Sequence, residues 1–439
     1  ARGMSLQLAG RCAEARQFFK VIVEQEPDLF APRYEYASCL RILGESEEAE
    51  DILNQLLEEQ ATGQVSRRTA LTRLTLGVLY YRTGRPELAM AEYENALNIA
   101  ERIADPELKA RVLQNLSIAY RGFSDLDEAQ RHLDLAVLAY QDAGRAKLPG
   151  HLYSARANLA MSRGEFTEAE NWLQQALEAF RDVGDRRNEA MMLNNSGYVK
   201  WQQGQLGEAE TFILRSQAIR REIGDRVGVG RTYSMLSGVY SASGDFENAS
   251  EAASAALEIA RESNDELYVA TSLALLANAE TARGDLVAAR EHYLEGRALG
   301  VSMQDQLRMM QTDVQIARLH LMGNQVDAAH ALAVKVLEQA REKEILEPGL
   351  EAQELLGDIE LARGSPDGAV EIFIEALEQV RATSWTGMET SIESKLATAY
   401  MDLGQLDKAA PIAGALAEKE PDLKILLTRA RFDYLRSLH

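Results

Sequence analysis

The chain has 439 residues and a formal net charge of −21 at pH 7, with 46% hydrophobic and 26% charged residues. Because so acidic a protein repels a phosphate backbone, a nucleic-acid partner is not expected. The sequence has no run of about 18 apolar residues, so membrane insertion is not expected either. The two cysteines, Cys12 and Cys39, are too few for a disulfide framework or a zinc quartet, and they favour a cytoplasmic protein.

Along the chain, helical segments are interrupted by turns at a nearly constant interval. The predicted turns are Gly10, Gly44, Gly84, Ser124, Gly164, Gly204, Gly244, Gly284, Gly323, Gly364 and Gly404. An alanine follows each turn by five residues, and most intervals are 40 residues, with 34, 39 and 41 as exceptions. Repetition at a fixed period predicts a solenoid, in which each helix pair buries its apolar face on its neighbours.

The unit is clearest between Leu76 and Ala100. Gly77 leaves room for the close approach of another helix, and Gly84 ends the first helix because glycine adopts a left-handed conformation without strain. Pro86 is tolerated in the first turn of the second helix. Small and large apolar residues then recur at intervals of three and four, which predicts one buried helical stripe.

The pattern Leu-Gly-x-x-Tyr at 76–80, followed by Gly84, Ala89 and Tyr93, resembles the tetratricopeptide repeat. The 40-residue spacing is similar to the long-helix branch of kinesin light chains and bacterial regulators, rather than to the basic 34-residue repeat. The resemblance implies an all-α, right-handed superhelical solenoid of about eleven helix-turn-helix repeats over residues 1–422. Residues 423–439 are predicted to form a C-terminal capping helix.

The first repeat begins with only part of a helix before Gly10. Either Met4 is the start of the protein or an upstream domain precedes this sequence. We favour an upstream domain, because solenoids usually begin with a whole helix or a polar cap.

The loops between repeats carry a second regularity. Gly184-Asp185 and Gly224-Asp225 lie 40 residues apart, with degenerate copies at 104–106 and 264–265. Glycine is expected to end the long second helix, and aspartate to cap the next helix by accepting backbone N–H bonds.

The sequence contains no catalytic pattern. The six histidines lack metal-site spacing, and no Gly-x-Ser-x-Gly elbow or paired cysteine nucleophile occurs. The sequence therefore predicts a non-enzymatic protein without cofactor or metal.

In the family, the first helix of each repeat lines the concave groove, through positions thirteen, ten, six and three residues before the turn. Carried over to this sequence, these positions supply a predicted partner-binding set of Arg111, Gln114, Arg121, Asn158, Asn194, Tyr198, Trp201, Arg231, Asn278, Asp313, Glu351 and Glu354.

This set suits an extended peptide. Asparagine both donates and accepts, arginine binds carboxylates in forked geometry, and Tyr198 with Trp201 would supply the apolar anchor. An acidic part of the ligand is expected near the arginines and a basic part near Glu351 and Glu354. The alternative is that these residues are only the solvated side of amphipathic helices, with Trp201 packed between neighbours.

Two functions follow from the resemblance. The first is a scaffold that binds a protein or peptide segment in the concave groove of repeats 4–8. The second is the C-terminal sensor arm of a larger bacterial signalling protein, such as a transcription regulator, kinase or signalling ATPase, which binds an effector or its own upstream domain.

Overall fold

The computed structural model describes residues 2–8, 11–60, 66–144, 147–263, 265–383 and 386–419. Within these ranges the chain forms 22 α-helices and no strand, which confirms the predicted all-α repeat solenoid. The chain divides into two compact units, residues 1–244 (unit 1) and residues 245–439 (unit 2). The predicted turn at Gly10 and the capping helix over 423–439 lie outside the described residues.

Unit 1 contains thirteen described helices: α1 (Arg2–Leu8), α2 (Cys12–Gln25), α3 (Phe30–Leu43), α4 (Ser46–Gln60), α5 (Arg67–Arg82), α6 (Pro86–Arg102), α7 (Pro106–Gly122), α8 (Leu126–Asp142), α9 (Gly150–Ser162), α10 (Phe166–Asp182), α11 (Arg186–Gln202), α12 (Leu206–Glu222) and α13 (Arg226–Ser243). Unit 2 contains nine: α14 (Phe246–Glu262), α15 (Glu266–Arg283), α16 (Leu286–Ser302), α17 (Gln306–Met322), α18 (Val326–Glu342), α19 (Leu346–Ala362), α20 (Pro366–Val380), α21 (Thr386–Asp402) and α22 (Leu406–Lys419).

Among the described residues, those with a left-handed backbone recur at intervals of 20 or 40 residues and end the helices. They are Gly44, Gly84, Ala104, Ser124, Gly144, Gly164, Gly184, Gly204, Gly224, Gly244, Gly284, Gln304, Asn324, Glu344, Gly364 and Gly404. The turn within a repeat and the loop between repeats are therefore the same kind of helix end. Because both occur at equal spacing, the 40-residue repeat consists of two helices of nearly equal length.

One predicted turn is displaced by a residue. Gly323 has an ordinary φ of −81°, whereas Asn324 has φ of 58° and occupies the left-handed position. The alanine buried five residues later is therefore Ala329 and not Ala328, which is exposed. Asparagine tolerates the left-handed region better than most residues, so the 40-residue register is kept although a glycine lies next to the turn.

Aspartate caps the helices that follow several loops, as predicted. Asp105, Asp185, Asp225 and Asp265 each accept a hydrogen bond from the backbone N–H three residues later, at 2.9 to 3.1 Å. Each bond satisfies a backbone donor that the first helical turn leaves unpaired. The loop therefore fixes both the end of one helix and the start of the next.

The core lies between the two helices of each repeat and continues between neighbouring repeats. Ala89 is fully buried, and Gly77 lies so close to Tyr93 that a Cβ on Gly77 would stand 2.6 Å from the ring. The same contact recurs between Gly357 and Phe373, where a Cβ would stand 2.2 Å from the ring. A small residue on the first helix thus accepts a large ring from the second, and burying such a ring contributes about 1.5–3 kcal/mol.

Candidate peptide-binding face

The first helices of successive repeats form one layer in each unit. In unit 1, α5 packs on α7, α7 on α9, and α11 on α13; in unit 2, α17 packs on α19 and α19 on α21. The second helices of the described repeats make no comparable contacts with one another. The first helices therefore form the inner layer. We call its surface in unit 1, on helices α3, α5, α7, α9, α11 and α13, the inner face of unit 1.

Gln114 is part of the framework of this face rather than free to bind a partner. Its side chain is buried, and its Nε2 donates to the backbone carbonyl of His151 at 3.0 Å. Nε2 of His151 lies 3.1 Å from the Tyr140 hydroxyl. Although the residue as a whole is exposed, desolvation of its ring and, to a smaller extent, the charge of Arg111 lower the pKa of His151 to about 4. These contacts join α7, α8 and α9.

Two predicted asparagines retain unused hydrogen-bonding groups. Asn158 accepts a bond from Nδ2 of Asn195 at 3.2 Å, and none of the described residues accepts from the amide nitrogen of Asn158. The Oδ1 atom of Asn194 is buried and has no partner among the described residues. A buried amide oxygen without a partner costs about 1–3 kcal/mol, so this atom is a weak point of the free protein.

The aromatic pair Tyr198 and Trp201 lies on the same helix as Asn194. The two rings meet edge to face with centroids 6.4 Å apart, and both side chains are half-buried. The indole also rests on Gly238 of α13, where a Cβ would approach it to 2.5 Å. Trp201 therefore packs between neighbouring repeats, as the alternative interpretation stated, while part of the ring remains accessible.

The three predicted arginines of this face have no carboxylate partner among the described residues. Arg111 and Arg121 are half-buried and Arg231 is exposed. Many other arginines of the chain pair with glutamate or aspartate between repeats; Arg85 with Glu50 at 2.6 Å is an example. The three guanidinium groups are therefore available to anionic groups of a partner.

Two further arginines near this face were not predicted. Arg41 stands three residues before the turn at Gly44, which is one of the groove positions, and Arg82 stands two residues before Gly84. The prediction started at repeat 4 and therefore omitted both. The same position rule applied to repeat 2 would have found Arg41, whereas Arg82 lies one residue away from the nearest groove position of repeat 3.

In unit 2, a cleft between α15, α16, α17 and α19 contains two predicted residues. Asn278 accepts a hydrogen bond from the hydroxyl of Tyr293, and Glu351 lines the same cleft together with Arg308 and Gln311. The Oε2 atom of Glu351 is buried without a partner among the described residues, and burial raises the pKa of this carboxyl. The cleft thus contains one carboxyl that a donor group could reach.

The other predicted acidic residues of unit 2 are paired within the protein. Asp313 is buried, and both its carboxylate oxygens accept from Arg297. Glu354 is buried and accepts from Ser391 at 2.7 Å, with Nζ of Lys395 also at 2.7 Å. Of the acidic residues in the predicted set, only Glu351 has no ion-pair partner among the described residues.

The described residues offer neither a metal site nor a membrane span. No group of three or more histidine, cysteine, aspartate or glutamate side chains there is arranged to hold a metal ion. None of the described helices combines the length and apolarity needed to cross a membrane.

Three solved structures are similar in fold. A Rap protein complexed with Competence and Sporulation Factor has 15% identity and a TM-score of 0.59, over 90% of this chain and 98% of that one. Aspartyl phosphate phosphatase F from Bacillus subtilis has 14% identity and a TM-score of 0.54, over 81% and 95%. A STAND ATPase with a tetratricopeptide repeat sensor from Pyrococcus horikoshii has 14% identity and a TM-score of 0.53, over 78% of this chain and 54% of that one. At such low identity the likeness shows the fold alone.

No curated protein matches the sequence. One model of the tetratricopeptide repeat matches residues 28–102, 66–142, 150–222, 188–262 and 228–300, and a second matches residues 315–383. These matches cover most of the chain and coincide with the helix pairs described above. The protein therefore belongs to the tetratricopeptide repeat family.

Proposed function

We propose that this protein is a non-enzymatic scaffold that binds an extended peptide or protein segment on the inner face of unit 1. The observation that carries the proposal is the edge-to-face pair of Tyr198 and Trp201, whose half-buried rings lie on the same helix as the half-buried side chain of Asn194. An apolar side chain of the peptide would cover the rings, and its backbone would bond the amide group of Asn194.

The charges of unit 1 agree with such a ligand. Arg111, Arg121 and Arg231 have no acidic partner among the described residues, and charge complementarity sets register and association rate more than affinity. The similar Rap protein was solved in complex with a factor, which supports binding as the use of this fold. In unit 2, we propose that a partner contacts Glu351 and Asn278 but not Asp313 or Glu354, because the latter two carboxylates are already paired within the protein.

The experiment is a selection of peptides from a random library on the full chain, followed by calorimetric titration of the best peptide. Trp201→Ala is expected to weaken binding by about 2 kcal/mol, as an aromatic hot spot does, and Asn194→Ala by about 1 kcal/mol. Asn171→Ala removes an exposed asparagine on α10, a second helix outside the inner layer, and is the matched control. This control is expected to bind like wild type.

Circular dichroism and thermal unfolding establish that each variant is folded before its affinity is compared. The proposal is wrong if the Asn194 and Trp201 variants bind like wild type while Asn171→Ala loses the peptide.

The second candidate is a sensor arm of a larger signalling protein. The similarity to the STAND ATPase with a tetratricopeptide repeat sensor favours it, since this chain covers only 54% of that chain. The full open reading frame tests it: a winged-helix, kinase or ATPase domain encoded upstream would support the sensor arm, and a frame without one would leave the scaffold as the function.

A further inference from the structure

The cleft between α15, α16, α17 and α19, which we call the unit 2 cleft, has a volume of about 180 Å³. Small residues form its apolar part and leave the space open; they are Ala270, Ala274 and Gly296. A cavity of about 150 Å³ holds a molecule as large as benzene. The unit 2 cleft therefore has room for one small molecule or one side chain, but not for a peptide segment.

Glu351 provides this cleft with a carboxyl group that the protein itself leaves without a partner. Its Oε2 atom is shielded from solvent, and neither of its carboxyl oxygens has a hydrogen bond or ion pair among the described residues. Arg318, whose charge acts on Glu351, forms its ion pair with Glu354 at 3.4 Å instead. An ionised carboxylate in this place lacks the donors that would replace water, and a ligand with a cationic N–H group would supply them.

The electrostatics at Glu351 agree with a missing cation. Burial raises the pKa of this carboxyl, the charge of Arg318 lowers it by less, and the charges of Glu347 and Glu354 raise it further. The free protein therefore disfavours the ionised form of Glu351, and a bound ammonium group would favour it.

Arg308 brings the opposite charge to the same cleft. Its side chain is 21% exposed, and its Nε donates to Asp305 at 3.2 Å. The two terminal nitrogens of Arg308 have no partner among the described residues. Although Arg308 and Glu351 both line the cleft, they form no ion pair with each other. The cleft thus contains a cation and an anion that are held apart.

Three amide side chains line the cleft as well. Gln311 and Gln315 make no side-chain hydrogen bond within the described part of the chain. Asn278 uses its oxygen, which accepts from the hydroxyl of Tyr293, and its amide nitrogen has no acceptor there. Because an amide both donates and accepts, these groups can bond to polar atoms of a ligand that lies between the two charges.

We propose that the unit 2 cleft binds a small zwitterion, a molecule of the amino-acid class with one ammonium and one carboxylate group. The ammonium group donates to Glu351, and the carboxylate accepts from Arg308. A basic side chain of a peptide would satisfy Glu351 but bring no anion for Arg308. This inference rests on the proposed contact of a partner with Glu351 and Asn278, and it names the chemistry of that partner. It does not depend on the peptide proposed for unit 1.

The test is thermal unfolding and calorimetric titration of the full chain at neutral pH with zwitterions of increasing length, namely glycine, β-alanine and γ-aminobutyrate. At least one of them is expected to raise the unfolding temperature in a saturable way, because a ligand that binds only the folded state stabilises it. The amine and the carboxylate of matching length, such as butylamine and butyrate for γ-aminobutyrate, carry one charge each. Both are expected to bind at least about tenfold more weakly.

Variants assign the binding to the two charged groups. Glu351→Gln and Arg308→Gln each remove one charge and are expected to lose at least about tenfold in affinity for the tightest zwitterion. The matched controls are Glu371→Gln on α20 and Arg290→Gln on α16, at exposed positions without an ion pair among the described residues, and both are expected to bind like wild type. Circular dichroism establishes that each variant is folded. The single-charge compounds are tested on the wild-type protein, so the comparison stands even where a variant does not fold.

Three outcomes would overturn the inference. They are the absence of binding by every zwitterion, binding of the single-charge amine as tight as that of its zwitterion, and wild-type affinity in folded Glu351→Gln. Trp201→Ala is expected to bind the zwitterion like wild type, so failure of the peptide proposal would not affect this result. If Glu351→Gln weakens a selected peptide while no zwitterion binds, the proposed contact in unit 2 stands and the zwitterion site is wrong.

Discussion

Replacing Ser124 by glycine should make unit 1 more stable. Ser124 has φ of 61°, a conformation that costs an L-residue about 1–2 kcal/mol. Its hydroxyl makes no hydrogen bond within the described part of the chain, so the substitution breaks none. Glycine adds about 0.4–1 kcal/mol of freedom to the unfolded chain, and the net gain is therefore a few tenths to about 1 kcal/mol.

The measurement is urea unfolding of the full chain, followed by circular dichroism and fitted for the transition of unit 1. A gain of about 1 kcal/mol would shift the thermal midpoint by about 2–4 °C for a unit of this size. Ala104→Gly, at φ of 50°, is expected to stabilise in the same way. Ala91→Gly, an exposed position inside α6, is the matched control and is expected to lose about 1 kcal/mol. The reasoning is refuted if Ser124→Gly and Ala104→Gly lose as much stability as Ala91→Gly.

Two further predictions concern unit 2. Gly357→Ala should destabilise it by about 1–3 kcal/mol, because the added Cβ would stand 2.2 Å from the Phe373 ring. Gly414→Ala should instead stabilise α22 by about 0.5–1 kcal/mol, since no atom lies within 4 Å of the added Cβ. Equal effects of the two substitutions in urea unfolding would contradict the packing argument. Although burial raises the pKa of Glu354, Lys395 lowers it overall. The unfolded state therefore takes up the proton first as the pH falls below about 4.3, and stability falls there. Glu354→Gln should flatten this fall, and an unchanged slope of unfolding free energy against pH would show that Glu354 does not cause it.

Local chemistry made the repeat framework predictable from sequence. Gly84 and Gly184 end helices because of their own backbone freedom, and Asp185 caps the next helix through a bond to the residue three positions later. None of these features depends on a distant partner. The exception is the turn predicted at Gly323, where the left-handed residue is Asn324. Both residues can adopt this conformation, and the register of the neighbouring helices selects Asn324.

The availability of each inner-face side chain could not be predicted in the same way. Gln114 is bound to the carbonyl of His151, 37 residues away, and Asp313 to Arg297 on the preceding helix, although the position rule treats both as free. Their partners belong to other helices, and a shift of one side-chain rotamer decides whether a pair forms. The rule identified the face, but not which of its groups were already satisfied.

The helices, their ends and their pairing follow from short-range periodicity and backbone conformation, which are local properties of the sequence. The contacts between the first helices of neighbouring repeats, such as the bond from Gln114 to the carbonyl of His151, exist only once the repeats have stacked on one another. A site built from such helices therefore has no local sequence signature, although each helix that contributes to it does.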